Sequence, residues 1–83
     1  MHIGIEISLY PLKDDYIAPI EEFIQRLNHE PRFRVVTNSM STQIFGPPEE
    51  LLSALAREMR VTFEKVGKAV FVLKVLGPLA AVS

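Results

Sequence analysis

The chain has 83 residues, 48% of them hydrophobic, and its nine basic and ten acidic side chains leave a formal net charge of −1. A chain of this length forms one domain, and the charge balance offers no electrostatic basis for binding nucleic acid or an anionic membrane. The lack of cysteine excludes disulfides and thiolate metal sites. We expect one domain, residues 1–78, followed by a flexible tail, residues 79–83.

The beginning of the sequence lacks the features of a secretory signal. Residues 1–6 contain no basic segment, and Glu6 interrupts the apolar run. The most apolar segment, residues 69–76, contains Lys74 and is too short to span a bilayer. We therefore expect a cytoplasmic protein that does not insert into membranes.

The first predicted element is a β-strand that ends at Pro11. Isoleucine or leucine occupies every second position from 3 to 9, and this period of two is typical of a half-buried strand. Pro11 has no N–H to donate to a ladder, so the strand should end there. The alternation leaves Glu6, Ser8 and Tyr10 together on the other face of the strand.

A helix is predicted to run from Asp15 to about Asn28. Its apolar residues recur at helical spacing, and its charged residues lie on the opposite face. Pro19 is tolerated only in a first helical turn, so the helix cannot begin much before Asp15. The carboxylate of Asp14 or Asp15 can cap the free N–H groups of that turn. Asp15 is therefore first a helix cap and only second a candidate site residue.

Two further strands are predicted to form a hairpin. Residues 33–37 are rich in β-branched side chains, Asn38-Ser39 supplies a turn, and a strand at residues 40–45 is closed by Gly46. The connection is short, which favours direct antiparallel pairing. Alternation divides the third strand into two sets: Met40, Thr42 and Ile44 toward the helices, and Ser41, Gln43 and Phe45 away from them.

The last two elements are a helix and a strand. Pro47-Pro48 opens the helix, a leucine-rich stripe follows, and Gly67 is expected in the left-handed αL conformation at its end. The strand at residues 69–76 is apolar on both faces, unlike an antiparallel strand with one solvated face. One face should pack on the helices and the other on a partner chain. We therefore expect a homo-oligomer, either a homodimer or a dimer of dimers.

The order of elements is β-α-β-β-α-β. This order predicts an α+β, ferredoxin-like sandwich, in which both helices cover one face of a four-stranded antiparallel sheet. The expected spatial order of the strands is 4-1-3-2, so that the first and third strands are central. The sequence shows no internal repeat of this unit.

The outer face of the two central strands mixes aromatic and polar side chains. Its residues are Glu6, Ser8 and Tyr10 on the first strand, and Ser41, Gln43 and Phe45 on the third. This mixture suits either a small polar ligand with an aromatic ring or a wet subunit interface, and both interpretations remain open. Thr42 also has two interpretations: a satisfied core residue, or a ligand contact if the pocket lies between sheet and helices.

No residue pattern indicates catalysis or metal binding. His2 and His29 have no partners at metal-ligand spacing, and no nucleophile elbow is present. The RNP pattern of RNA-recognition domains and the cysteine pair of metallochaperones are also missing. We therefore expect a protein without enzymatic activity, cofactor or metal ion.

Two stretches carry a family resemblance. Ser8-Leu9-Tyr10-Pro11-Leu12, followed by Asp15-Tyr16-Ile17, resembles the first strand and helix of the YkoF-like thiamine/hydroxymethylpyrimidine-binding family. Residues 40–46, Met-Ser-Thr-Gln-Ile-Phe-Gly, are similar to the second hairpin of that family. The resemblance implies a ferredoxin-like protein that binds thiamine or its hydroxymethylpyrimidine moiety in vitamin uptake or salvage. Members similar to the family type carry two such units in tandem, and self-association of this single unit would restore that pairing.

The resemblance and the chemistry of thiamine together define a candidate ligand-binding set. The aminopyrimidine offers an amine donor and ring-nitrogen acceptors, and the thiazolium is a cation that an aromatic face or a carboxylate stabilises. The candidate residues are Glu6, Ser8, Tyr10, Asp15, Ser41, Thr42, Gln43 and Phe45. The alternative is a structural or regulatory homo-oligomer whose outer face is only an interface.

Overall fold

The computed structural model of the protein describes residues 1–80. Six elements follow in the predicted order: β1 (His2–Pro11), α1 (Ile17–Asn28), β2 (Arg34–Thr37), β3 (Thr42–Gly46), α2 (Pro48–Val66) and β4 (Ala69–Leu79). The strands form one antiparallel sheet in the order β2-β3-β1-β4. The α+β ferredoxin-like fold and the predicted strand order are confirmed.

The hydrophobic core lies between the sheet and the two helices. Ile5 and Ile44 are directly opposed in the central strands, and neither exposes more than 1% of its surface. Leu51 and Leu55 of α2 are equally buried against them. Burial of a side chain of this size contributes about 1.5–3 kcal/mol, so the period-two and helical stripes of the sequence account for the two-layer architecture.

Aromatic rings attach β4 to the helices. The ring centroid of Phe71 lies 5.1 Å from that of Phe23 in α1 and 5.4 Å from that of Phe63 in α2. Val70 and Val72 point away from the helices, and each exposes 45% of its surface. Phe71 therefore lies on the helix side of β4, and Val70 and Val72 lie on its outer face.

A polar network also links the two helices. The Arg26 guanidinium donates to Glu58 Oε1 at 2.6 Å and to Thr62 Oγ1 at 2.7 Å. Thr62 exposes only 2% of its surface, so its hydroxyl needs this partner. Glu22 accepts hydrogen bonds from both Arg26 and Lys65. The network fixes the relative position of the two helices.

The start of α1 differs from the prediction. The helix begins at Ile17, and its N-cap residue is Tyr16, which makes no capping hydrogen bond with its side chain. Neither Asp14 nor Asp15 is therefore the cap. The chain forms a tight turn first, in which the N–H of Tyr16 donates to the carbonyl of Asp14 at 3.1 Å, and this turn moves the helix start two residues downstream.

The ends of three other elements also differ. The strand β3 begins at Thr42, and Met40 lies in the preceding turn with 88% of its surface exposed, so it does not face the helices. Gly67 has the expected positive φ of 86°, but its ψ of −140° lies outside the αL region. The strand β4 continues beyond Leu76 to Leu79, which pairs with His2.

The continuation of β4 has a structural reason. Proline is tolerated in an edge strand and at irregularities of pairing. Both conditions hold here, because β4 is an edge strand and its register with β1 shifts between His2 and Gly4. The predicted tail therefore begins within β4 at Leu79, while its residues 81–83 lie outside the described part of the chain. Within that part, neither helix has the length and hydropathy needed to cross a bilayer.

Candidate functional site

A cavity of about 290 Å³ opens between the end of β1, the middle of α1 and the β2–β3 turn. We call this cavity the groove. Its lining consists of Ile7, Ser8, Leu9 and Tyr10 from β1, Ile20, Phe23 and Ile24 from α1, and residues 37–42 of the hairpin. None of these lining side chains is charged.

The groove exists because the two central strands differ in length. The ladder between β1 and β3 ends at the pair Ile7–Thr42. The strand β1 continues to Pro11, but from Ser8 onward it pairs only with β4. The missing part of β3 leaves a notch beside the last residues of β1, and α1 covers the notch from one side.

The β2–β3 turn forms the opposite wall. The side-chain oxygen of Asn38 accepts hydrogen bonds from the N–H groups of Met40 at 2.8 Å and Ser41 at 3.1 Å. The N–H of Asn38 donates to the carbonyl of Ser41 at 3.1 Å. These three bonds satisfy the turn internally, which is a common role of Asn in turns, and they hold it away from β1.

Two threonine hydroxyls meet in the lining of the groove. Thr37 and Thr42 are directly opposed across the hairpin, and their Oγ1 atoms are 3.2 Å apart. Thr42 exposes only 5% of its surface. One hydroxyl donates to the other, so the second keeps a proton that can be donated elsewhere. Thr42 is thus both a satisfied core residue and a residue of the groove.

The structure separates the eight candidate residues into three places. Ser8, Tyr10, Ser41 and Thr42 line the groove. Glu6, Gln43 and Phe45 instead line a second cavity of about 460 Å³ on the outer sheet face, together with Lys74 and Leu76 of β4. Asp15 lies in neither of these cavities but beside α1, in a smaller cavity with Lys13, Arg26 and Lys65.

On the outer face, the carboxylate of Glu6 already has two partners. Its Oε2 accepts a hydrogen bond from Ser41 Oγ at 3.0 Å, and its Oε1 lies 3.6 Å from Lys74 Nζ. The ring of Phe45 covers Gly4, and the guanidinium of Arg34 lies 5.7 Å from the ring centroid. These contacts favour a structural role for this cavity over the reception of a cationic ligand.

Beside α1, ion pairing changes the titration of one carboxyl group. A hydrogen bond from Lys65, and then its charge, hold the pKa of Glu22 below its ordinary value of 4.5. In the loop after α1, a hydrogen bond from Arg32 lowers the pKa of Glu30 in the same way. Neither carboxylate lines the groove, so these shifts belong to the stability of the fold.

Sequence reasoning missed part of the groove. It did not select Thr37, Asn38 or Ser39, nor the three apolar residues of α1. A signal for Thr37 was available, because a tight turn at residues 38–41 places Thr37 opposite Thr42. No local pattern identified Ile20, Phe23 or Ile24 as groove residues, because exposure of a helix stripe depends on where the neighbouring strand ends.

The comparisons with known proteins concern both sequence and fold. The sequence matches the model of the YkoF-related family over residues 2–74. A search of curated proteins found no match. Among solved structures, a Thermotoga maritima protein described as a candidate thiamine biosynthesis/salvage protein superposes with a TM-score of 0.88 at 14% identity, over 100% of this chain and 90% of its own.

Two further solved structures share the fold. Protein SP2199 of Streptococcus pneumoniae has a TM-score of 0.84 at 22% identity, covering 99% of this chain and 93% of its own. A hypothetical protein of Methanocaldococcus jannascii has a TM-score of 0.79 at 23% identity, covering 95% of this chain and 82% of its own. At these identities the likeness concerns the fold alone.

Proposed function

Because the chain belongs to the YkoF-related family, we propose that it binds thiamine or the hydroxymethylpyrimidine moiety of thiamine without catalysing a reaction. The binding would serve uptake or salvage of the vitamin. The description of the Thermotoga maritima structure supports a thiamine-related role. The proposal keeps the cytoplasmic location that the sequence led us to expect.

The groove is the observation that carries this proposal. Small-molecule sites are usually concave and mostly apolar, with a few polar groups that fix the orientation of the ligand. The groove has apolar side chains from β1 and α1 in its walls, and the paired hydroxyls of Thr37 and Thr42 belong to its lining. Its volume of about 290 Å³ lies near the lower limit of such sites, which suits a single substituted ring.

Calorimetric titration tests the proposal. We expect heat of binding with thiamine and with hydroxymethylpyrimidine, and none with the hydroxyethylthiazole half of the vitamin. The two halves are matched in size, so the comparison separates recognition of the pyrimidine from general affinity for aromatic rings. Absence of binding to both thiamine and hydroxymethylpyrimidine would overturn the proposed function.

We also propose that the chain acts as a homo-oligomer, either a homodimer or a dimer of dimers. The specific observation is a mostly apolar strip on the outer face of β4: Val70, Val72 and Leu76 expose 45%, 45% and 66% of their surfaces, and Lys74 lies between the last two. A strip of this kind on an edge strand favours association. If oligomers form and neither vitamin ligand binds, the alternative of a structural or regulatory oligomer gains support.

A further inference from the structure

The direction of the main-chain groups in β1 follows from its pairing with β4. Pro11 lies opposite Ala69, and the N–H of Leu12 donates to the carbonyl of Lys68 at 3.2 Å. This bond flanks the Pro11–Ala69 pair, so that pair is of the non-hydrogen-bonded kind. The two kinds alternate along an antiparallel ladder. Tyr10 therefore directs its N–H and C=O toward β4, whereas Leu9 directs both groups toward β3.

The hairpin gives the same result independently. The N–H of Asn38 donates to the carbonyl of Ser41, so the flanked pair Thr37–Thr42 is also of the non-hydrogen-bonded kind. Thr42 must then direct its N–H and C=O toward β1, where it faces Ile7. After Ile7, the next residue of β1 whose N–H and C=O point toward β3 is Leu9.

Leu9 has no strand residue opposite it. A continued ladder would place Met40 there, but Met40 lies in the turn and its N–H donates to the side chain of Asn38 at 2.8 Å. Among residues 1–80, no backbone hydrogen bond outside the ladders uses Leu9. The Leu9 side chain is buried, with 8% of its surface exposed. Its N–H and C=O therefore face the groove without a protein partner from β3.

We propose that the main chain of Leu9 reads the ligand, and that the ligand is an uncharged ring with a hydrogen-bond donor beside an acceptor. The N–H and C=O of one residue present a donor and an acceptor side by side, as they would to a paired strand. An aminopyrimidine carries the complementary edge. Its amine would donate to the Leu9 carbonyl, and the adjacent ring nitrogen would accept from the Leu9 N–H.

The lining of the groove supports an uncharged ligand. No lining residue has a charged side chain, so neither a phosphate nor a cation would find a counter-charge there. The guanidinium of Arg26 lies 5.8 Å from the ring centroid of Phe23, but its donors are engaged by Glu58, Glu22 and Thr62. The thiazolium of thiamine, and any phosphate on it, would then lie outside the groove. This inference rests on the proposed function and specifies the part of the vitamin that is recognised.

Amide hydrogen exchange measured by NMR tests the geometry without any ligand. In the free protein, the Leu9 amide should exchange faster than the amides of Ser8 and Tyr10, which are bonded to Val72 and Val70 of β4. Addition of hydroxymethylpyrimidine should slow the exchange of Leu9 by about tenfold or more and shift its resonance downfield. The amides of Ser8 and Tyr10 serve as internal controls and should change little.

Matched ligands test whether the Leu9 main chain recognises a hydrogen-bond donor beside an acceptor. The analogue of hydroxymethylpyrimidine that lacks the amino group should bind at least about tenfold more weakly, since it leaves the Leu9 carbonyl unpaired. The phosphate ester of hydroxymethylpyrimidine should also bind more weakly than the free alcohol. Both comparisons use the unmodified protein, so misfolding of a variant cannot confuse them.

The outcomes separate this inference from the proposed function. If hydroxymethylpyrimidine binds while the Leu9 amide is unaffected and the amino group is dispensable, main-chain recognition is overturned and the proposed function stands. The same holds if the Leu9 amide is already protected in the free protein. If neither hydroxymethylpyrimidine nor thiamine binds, both the function and the inference are overturned.

Discussion

Two glycines of the central strands lie under phenylalanine rings, and the two rings differ in how easily they can move to accept a larger side chain. A Cβ added at Gly46 would lie 2.6 Å from Cδ1 of Phe33, and one added at Gly4 would lie 2.8 Å from Cε1 of Phe45. Contacts this short require the ring to move. Phe33 belongs to the core with 7% of its surface exposed, whereas Phe45 is only partly buried on the outer face.

We therefore expect Gly46→Ala to be the more harmful of the two substitutions. Overpacking of a well-packed core typically costs about 1–3 kcal/mol, and we expect a loss in this range for Gly46→Ala. Gly4→Ala should cost less, because Phe45 can turn toward solvent. Urea denaturation of both variants provides the measurement. Equal losses would show that the outer face is packed as tightly as the core.

At the groove, the hydroxyl of Thr42 can be removed without changing the shape of the side chain. Thr42→Val takes away one hydroxyl of the Thr37–Thr42 pair. Loss of one hydrogen bond, either to the ligand or between the two threonines, costs about 1 kcal/mol. We expect about a fivefold loss of affinity for hydroxymethylpyrimidine by calorimetry. Ser53→Ala, on the exposed face of α2, is the control and should bind normally. Normal binding by Thr42→Val would remove the threonine pair from the site.

At the scale of the elements, an ion pair joins α1 to α2. Glu22 of α1 accepts from Lys65 of α2, and this contact holds the pKa of Glu22 below 4.5. A carboxyl whose pKa is depressed in the folded state contributes stability above its unfolded pKa. That contribution is lost as the pH falls through the folded value, so the helix pair should weaken in acid.

The substitution Lys65→Met tests this coupling. We expect the pKa of Glu22, followed by NMR, to rise toward 4.5, and the pH dependence of the urea midpoint below about pH 5 to become shallower. Lys68→Met, immediately before β4 and outside this pair, is the control and should leave the Glu22 titration unchanged. An unaltered Glu22 pKa in Lys65→Met would show that the ion pair does not persist in solution.

At the scale of the whole molecule, the central question is what covers the outer face of β4. Val72 exposes 45% of its surface there, so a charge at this position is tolerated in a monomer but is costly when buried in an interface. We expect Val72→Glu to remain folded and to dissociate the oligomer in sedimentation experiments at micromolar concentration. Leu52→Glu, on the exposed face of α2, should leave the assembly intact.

The neighbouring residue provides the opposite control. Phe71 contacts the rings of Phe23 and Phe63 on the helix side, so Phe71→Glu should unfold the subunit rather than dissociate it. Circular dichroism distinguishes the two effects. A wild-type protein that sediments as a monomer would contradict the proposed oligomer, whatever the behaviour of the variants.

The sequence alone determined the type and order of every element, and the buried faces of β1 and of the two helices. The alternating isoleucines of β1 and the leucine stripe of α2 are local patterns, and the period of each pattern shows which side chains share a face. The strand order follows from these elements and the ferredoxin-like connection rules. Of the candidate site, the sequence identified Ser8, Tyr10, Ser41 and Thr42 as residues that the fold brings to one groove.

Only the tertiary structure decided where the groove lies and which candidates it excludes. The notch depends on the length difference between β1 and β3. The hydrogen bonds of Asn38 within the turn set this difference, and the hydrophobic periodicity of the sequence does not reveal it. Glu6 is on the same strand as Ser8, and Phe45 is on the same strand as Thr42, but both line the cavity on the outer sheet face instead of the groove. The freedom of the Leu9 main chain is invisible in the sequence, because it arises from the absence of a neighbouring strand rather than from any property of leucine.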